Sequence, residues 1–454
     1  MNPEIFREYD IRGVADRDFD EAFARTLGRA YGTLLREKGK RVVAVGGDCR
    51  LTSEKYQKAL AEGIVSTGID VIEIGTCPTP LLYFSLFHFD LDGGIQVTGS
   101  HNPPDFNGFK VCLGKQTLFG EQIQHLCTLV EAGRFASGSG RRTTRDVITP
   151  YQDHLATQFG RLPRIVKVVV DAGNSTAGPV APPIFERLGC EVTPLYCELD
   201  GNFPNHHPDP TVVENMQSLI RAVREEGAEV GIAFDGDADR IGAVGASGRI
   251  VWGDEMLVIF ARDVLRTNPG AVIVSEVKCS QRLYDDIERR GGSGLMWKSG
   301  HSLLKAKMRE TNALLGGEMS GHMFFADRYF GYDDAIYAAC RLLEILAREG
   351  RSVEELLADL PPACVTPEIR VDCPDDRKFS VAERAREHFR GKYEIVDIDG
   401  VRIRFSEGWG LIRASNTQPV LVMRFEARSP EKLAEYRGIV EDVIAGIRTD
   451  LGCA

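Results

Sequence analysis

Two short stretches far apart in the chain fit together chemically: Thr98-Gly99-Ser100-His101-Asn102-Pro103-Pro104 and Asp235-Gly236-Asp237-Ala238-Asp239-Arg240. The first offers a hydroxyl on a loop stiffened by glycine and two prolines. The second offers three carboxylates at alternate positions with a cation directly after. Oxygens spaced in this way wrap a hard cation and leave positions for phosphate or water, as Mg²⁺ prefers. A serine that carries a phosphoryl group, and a metal that neutralises it, need both stretches. The expected chemistry is phosphoryl transfer through phosphoserine at Ser100, with Asp235, Asp237 and Asp239 holding the ion.

Competing readings of these loops fit less well. Thr98 and Asn102 stand where the G-x-S-x-G nucleophile elbow has glycines. An EF-hand loop starting at Asp235 would have Arg240 in place of its glycine and Ala246 in place of its glutamate. An aspartyl-phosphate loop of the haloacid-dehalogenase type also follows a strand as D-x-D, but usually has Thr or Val where this chain has Asp239.

Other polar loops join the set. Asn107-Gly108-Phe109-Lys110 supplies an ammonium ten residues after Ser100. Glu318, Ser320 and His322, in Gly316-Gly317-Glu318-Met319-Ser320-Gly321-His322, suit sugar hydroxyls, since a carboxylate accepts two of them. Arg413-Ala414-Ser415-Asn416-Thr417 suits a phosphate that the guanidinium grips bidentately.

Apolar β-branched runs alternate with helical periods through the first four-fifths of the chain, as in βαβ units. Strands are expected at 41–48, 70–75 and 94–97, with a helix over 53–67. The order returns with strands at 165–170, 191–196 and 230–234 around a helix near 179–188. It returns again with strands at 271–276, 294–297 and 313–315 around a helix near 281–290. Each round ends in one of the polar loops, and ligands of parallel sheets sit beyond the carboxyl ends of strands. After Pro361-Pro362, which follows a helix over 353–360, the pattern changes. A hairpin turns at Asp399-Gly400, and Val401, Ile403 and Phe405 alternate with Arg402 and Arg404. A last helix spans about 430–447.

The 454 residues carry a formal net charge of -11, which argues against nucleic acid as a main partner. Eleven scattered cysteines without a C-x-x-C spacing suit reduced thiols. Neither a signal peptide nor a run of about 20 apolar residues is present, so a soluble cytoplasmic protein is expected.

Taken together, the motifs resemble the α-D-phosphohexomutase superfamily, in particular its bacterial phosphomannomutase/phosphoglucomutase group. Phe6-Arg7-Glu8-Tyr9-Asp10-Ile11-Arg12-Gly13, the serine loop, the D-G-D-A-D-R loop, Gly316 to His322 and Arg413 to Thr417 occur in the family's order. The resemblance implies three topologically similar α/β domains with mixed, mostly parallel sheets and a smaller C-terminal α+β domain around a central cleft. Their expected limits are 1–145, 146–249, 250–361 and 362–454. It implies Ser100 as the phosphorylated residue, completing with Asp235, Asp237 and Asp239 a site for Mg²⁺. Arg12, Lys110 and Arg240 would lie near the transferring phosphoryl group, flanked by His101 and Asn102. Lys278 and His301 would reach the substrate from the third domain, Glu318 and Ser320 the sugar's 3- and 4-hydroxyls. Arg413, Ser415, Asn416 and Thr417 would clamp the phosphate that does not react.

The implied reaction interconverts hexose 6-phosphate and hexose 1-phosphate through hexose 1,6-bisphosphate, in a monomer or homodimer. Either Lys110 or His301 would be the general base. Met319 in Glu-Met-Ser-Gly-His goes with mannose and glucose phosphates; phosphoglucosamine mutases typically have Gln there. Rival readings are a phosphoglucosamine mutase, a phosphatase with Asp235 as nucleophile, and a non-catalytic sugar-phosphate sensor.

Overall fold

A computed structural model describes residues 3–415 and 418–453. Asn416 and Thr417, expected in the phosphate clamp, lie outside the described residues.

Three sheets share one strand order. In the first, Val42–Gly47 lies between Asp70–Thr76 and Gly93–Val97, parallel to both, and Phe106–Leu113 returns antiparallel beside Gly93–Val97. The second sheet repeats this with Lys167–Asp171 between Glu191–Leu195 and Val230–Phe234, and Ile241–Gly245 returning. The third repeats it with Val272–Glu276 between Ser293–Trp297 and Leu315–Gly317, and Met323–Phe325 returning. The turns from the third to the fourth strand are residues 98–105, 235–240 and 318–322. These are the three loops picked out by their chemistry. One topology therefore delivers all three to equivalent ends of their sheets, at the carboxyl end of a buried parallel strand.

Local sequence explains most of the element limits. Gly93–Val97 and Val230–Phe234 are buried at every position, as strands covered on both faces must be. Several expected limits shift by a few residues: the strand at 165–170 lies at Lys167–Asp171, and the last helix runs on to Asp450. The third unit's last parallel strand is Leu315–Gly317 and not 313–315. Asn312, at φ +52, ends helix His301–Thr311, and the Ala313 N–H still bonds back to Met308. The helix expected over 353–360 stops at Leu357, although its start carries a full Ser352/Glu355 capping box.

The C-terminal part is a six-stranded antiparallel sheet with helices Asp375–Phe389 and Pro430–Asp450 packed on it. It has its own core around Val381, Phe389, Ile403, Leu421, Phe425 and Ile444. Two buried arginines seat it on the third unit. Arg402 donates to the Val277 and Cys279 carbonyls with its guanidinium 3.7 Å above the Trp409 ring. Arg424 pairs with Asp254 at 3.1 Å. Among the described residues no helix is long and apolar enough to cross a membrane.

Candidate active site

Ser100 is 2% exposed and sits at φ +48. That left-handed conformation costs a non-glycine residue about 1–2 kcal/mol and requires support from its surroundings. Its Oγ donates to Asp235 Oδ2 at 2.8 Å and lies 3.1 Å from His101 Nδ1. The first-sheet and second-sheet loops thus meet directly. Gly236 makes the approach possible, because a Cβ there would stand 2.3 Å from the Ser100 carbonyl oxygen.

Asp235, Asp237 and Asp239 are fully buried, and their carboxylate oxygens lie within 4.8 Å of one another. The Asp235 Oδ1 atom accepts the N–H groups of Asp239 and Arg240 at 3.1 Å, so the turn wraps its own first carboxylate. Lys110 donates to Asp237 at 2.7 Å and also to Asp239. Burial and the like charges of Asp239 and Asp237 push the Asp235 carboxyl well up. Burial acts the same way on Asp239, but Lys110 and His322 outweigh it and hold that carboxyl down. Asp237 Oδ1 is buried with no hydrogen-bond partner among the described residues. Three converging buried carboxylates, one with a free oxygen, are an unfavourable set on their own and a fitting one for a hard divalent cation.

The third-sheet loop closes over this triad. Arg240 and His322 form an isolated antiparallel bridge between the two loops. His322 lies between carboxylates, 2.7 Å from Glu318 and 3.1 Å from Asp239. Burial opposes its charged form, but those neighbours raise the imidazolium to about 9. Glu318 also accepts the Gly300 N–H at 2.7 Å, and despite burial its carboxyl falls to about 2. Ser320 Oγ is 3.5 Å from His322 Nδ1. At the start of helix His301–Thr311, His301 Nδ1 stands 3.0 Å from Asp333, which Lys305 holds at 2.7 Å. Burial and Lys305 push the His301 imidazole down.

The remaining cations are each paired with an acid. Arg12, on a strand paired with Phe106–Leu113, is bound to Asp10. With Arg240 it adds to the burial that drives His101 well below its usual range. Lys278 pairs with Glu368 at 3.2 Å and lies 3.5 Å from Glu276. Arg413 donates to Asp399 at 2.9 Å, and Asp399 accepts the Ser299 N–H at 3.0 Å. Ser415 Oγ accepts the Gln418 N–H. The fourth unit's loop is thereby tied to the third, and Tyr9 of the first donates to the Ser299 carbonyl at 2.7 Å.

Sequence reading did not find Asp48, Arg50, Thr79 or Asp333. Thr79 donates to Asp237 from the start of a helix, and Asp333 sits between His301 and Lys305. Asp48-Cys49-Arg50 does carry a signal: it too follows the carboxyl end of a buried parallel strand.

A serine hydroxyl on an acidic triad, enclosed by loops of three repeated sheets and ringed by cations, defines an enzyme built for phosphoryl transfer. Comparison with known proteins narrows the class. Models of the phosphoglucomutase/phosphomannomutase alpha/beta/alpha domains I, II and III match residues 3–137, 149–248 and 252–364, and that of the C-terminal domain matches 368–443. The phosphomannomutase/phosphoglucomutase of Pseudomonas aeruginosa is 46% identical over 448 residues, 98% of this chain and 96% of its own. A phosphoglucomutase of Neisseria gonorrhoeae is 45% identical over 446 residues, 97% and 96% of the two chains. The crystal structure of a phosphoglucomutase/phosphomannomutase family protein from Burkholderia thailandensis superposes with a TM-score of 0.92 at 44% identity, covering 99% of this chain and 98% of that one. The chain belongs to the phosphoglucomutase/phosphomannomutase family of the α-D-phosphohexomutase superfamily, and is a mutase of the isomerase class.

Proposed function

We propose that this mutase interconverts the 6- and 1-phosphates of mannose and of glucose through phosphoserine at Ser100 and a hexose 1,6-bisphosphate. The observation that carries the reading is the Ser100 Oγ to Asp235 contact of 2.8 Å within the buried triad. A phosphoryl group on that oxygen lies against the carboxylates, where Asp235, Asp237 and Asp239 would hold Mg²⁺. The ion, when bound, supplies charge neutralisation at the transferring oxygens.

In the first transfer the Oγ–P bond breaks while an O–P bond forms to the free 1- or 6-hydroxyl. The electron pair stays on Ser100 Oγ, and the hydroxyl proton goes to a base. The bisphosphate then turns over in the cleft and its other phosphate returns to Ser100. Arg12, Lys110 and Arg240 stabilise charge on the phosphoryl oxygens. Glu318 and Ser320 accept and orient sugar hydroxyls, Lys278 reaches the substrate from the third unit, and Arg413 and Ser415, with Asn416 and Thr417, hold the distal phosphate. Mannose and glucose differ at the 2-hydroxyl, which a grip on the 3- and 4-hydroxyls does not distinguish. Assays of kcat/KM on mannose, glucose and glucosamine 1-phosphates test this. Comparable values for the first two are expected; a strong preference for glucosamine 1-phosphate reassigns the enzyme.

Of the two candidate bases, His301 fits better. Lys110 is engaged by Asp237 at 2.7 Å and by Asp239. His301 is held neutral by burial and Lys305. Its lowered pKa places the acid limb of kcat below the ordinary imidazole value of about 6.5. His301→Asn is expected to lower kcat by about 10²-fold and flatten that limb. An unchanged limb in the variant assigns the proton to another group.

The free thiols of all eleven cysteines fit a reducing compartment, the cytoplasm. We place the domain limits at 145/146, 251/252 and 361/362. The second moves two residues from the 249/250 limit read from sequence, because Ile250–Val251 pairs with Ile241–Gly245.

A further inference from the structure

Arg50 lies outside the machinery described above, with its side chain fully buried. A guanidinium has five N–H donors, and here each has an acceptor. Nη2 donates to the carbonyls of Ser100 at 2.8 Å and Asn102 at 2.6 Å, and Nη1 to those of Phe106 at 3.0 Å and Pro103. Nε donates to Asp48 at 3.1 Å. Three of the five bonds therefore hold the backbone of the serine loop, one of them at Ser100 itself, and a fourth holds the first residue of the strand that follows it.

Asp48 completes the support from the other side. Its Oδ2 also accepts the Thr98 hydroxyl at 2.8 Å and the Gly99 N–H at 3.0 Å. The Thr98 hydroxyl oxygen accepts the Ser100 N–H at 2.8 Å. Both backbone groups of Ser100 are thus engaged by one ion pair and its relay, while Oγ faces the triad. Gly99 lets the guanidinium approach this closely. A Cβ on Gly99 would stand 2.6 Å from its Cζ, and the Phe203 ring of the second unit lies 5.2 Å from it on a further side.

We propose that Arg50 is a positioning residue for phosphoryl transfer. It holds Ser100 in its left-handed conformation, so that Oγ and any phosphoryl group on it stay aligned with the attacking hydroxyl. Arg50 acts on the nucleophile's backbone and its charge is balanced by Asp48, so its effect falls on the transfer step and not on sugar-phosphate binding. A lysine keeps the charge and loses the planar fork. Misalignment of about 1 Å is enough for a loss of about 10²-fold.

The proposal rests on Ser100 being the phosphoryl carrier, and the experiment separates the two. Wild type and Arg50→Lys are charged with glucose 1,6-bisphosphate and Mg²⁺, and Ser100 phosphate is counted by intact mass and peptide mapping. Steady-state kcat and KM for glucose 1-phosphate and the ³¹P resonance of the phosphoserine are then compared. Expected for Arg50→Lys is a charged serine, kcat lower by about 30-fold or more, KM within about twofold, and a displaced ³¹P resonance. A charged variant with kcat within about threefold of wild type, or a loss confined to KM, overturns the role of Arg50 alone. A wild type that takes no phosphate on Ser100 overturns the serine reading and this proposal with it. If Arg50→Lys does not fold, Thr98→Val decides. It cuts the bond to the Ser100 N–H, and the same split at about 10-fold is expected; an unchanged kcat overturns the proposal.

Discussion

Ser100→Ala loses mutase turnover by at least about 10³-fold and takes up no acid-stable phosphate from glucose 1,6-bisphosphate. The size follows from the role proposed for Ser100, carrying the phosphoryl group between two half-reactions. His101 is adjacent, its Nδ1 3.1 Å from Ser100 Oγ, and a phosphate carried on its ring would be acid-labile. Asp235 is the rival nucleophile, 2.8 Å away. An aspartyl phosphate is acid-labile, so the two assignments separate in one mapping experiment. A fully active Ser100→Ala carrying a labile phosphate would transfer the role to Asp235. The fold should survive the change, because the loop is held by its carbonyls and N–H groups and not by Oγ.

The second large effect is expected at Asp237. Its Oδ1 is the triad oxygen that has no partner among the described residues, while its other oxygen is engaged by Lys110 and Thr79. Asp237→Asn retains shape and the acceptor for Lys110 but removes the charge that a divalent cation needs. Turnover should fall by about 10²- to 10³-fold at saturating sugar phosphate. Thermal denaturation supplies a readout independent of activity. An ion that binds the folded state alone stabilises it by about 2.7 kcal/mol at a concentration 100-fold above its Kd. Wild type should therefore melt higher in Mg²⁺ than in chelator, and Asp237→Asn should lose most of that difference. A variant with the full Mg²⁺ response would show that the triad does not hold the ion.

Much of this arrangement was legible along the chain. The serine loop and the D-G-D-A-D-R turn each contain their whole chemistry within about seven residues, and each follows a short buried strand. Strand Val230–Phe234 lies where its unbroken apolar run puts it, because hydrophobic content and local turn residues are short-range properties. Limits at 312–317 and 357–360 were less legible. There the end of a helix is decided by one left-handed residue or a turn whose geometry competes with helical propensity.

The residues not found by sequence are those whose role exists only between segments. Asp48 reads as the end of the strand expected at 41–48 and Arg50 belongs to no motif, until four guanidinium bonds are seen to reach carbonyls about 50 residues away. Asp333 belongs to no motif in the sequence, and its place is seen only where His301 and Lys305 converge on it. Gly236 shows its purpose only when the Ser100 carbonyl is seen in the space a side chain would fill. The amino-acid sequence by itself determined the reactive groups, the repeated βαβ order and the likeness to one family, because these depend on residue type and spacing. The tertiary structure alone decided which carboxylate faces Ser100, which histidine is charged and which neutral, and what holds the strained serine in place. Burial and Coulomb interactions fall off over a few ångströms, and those distances are set by packing between units far apart in the chain.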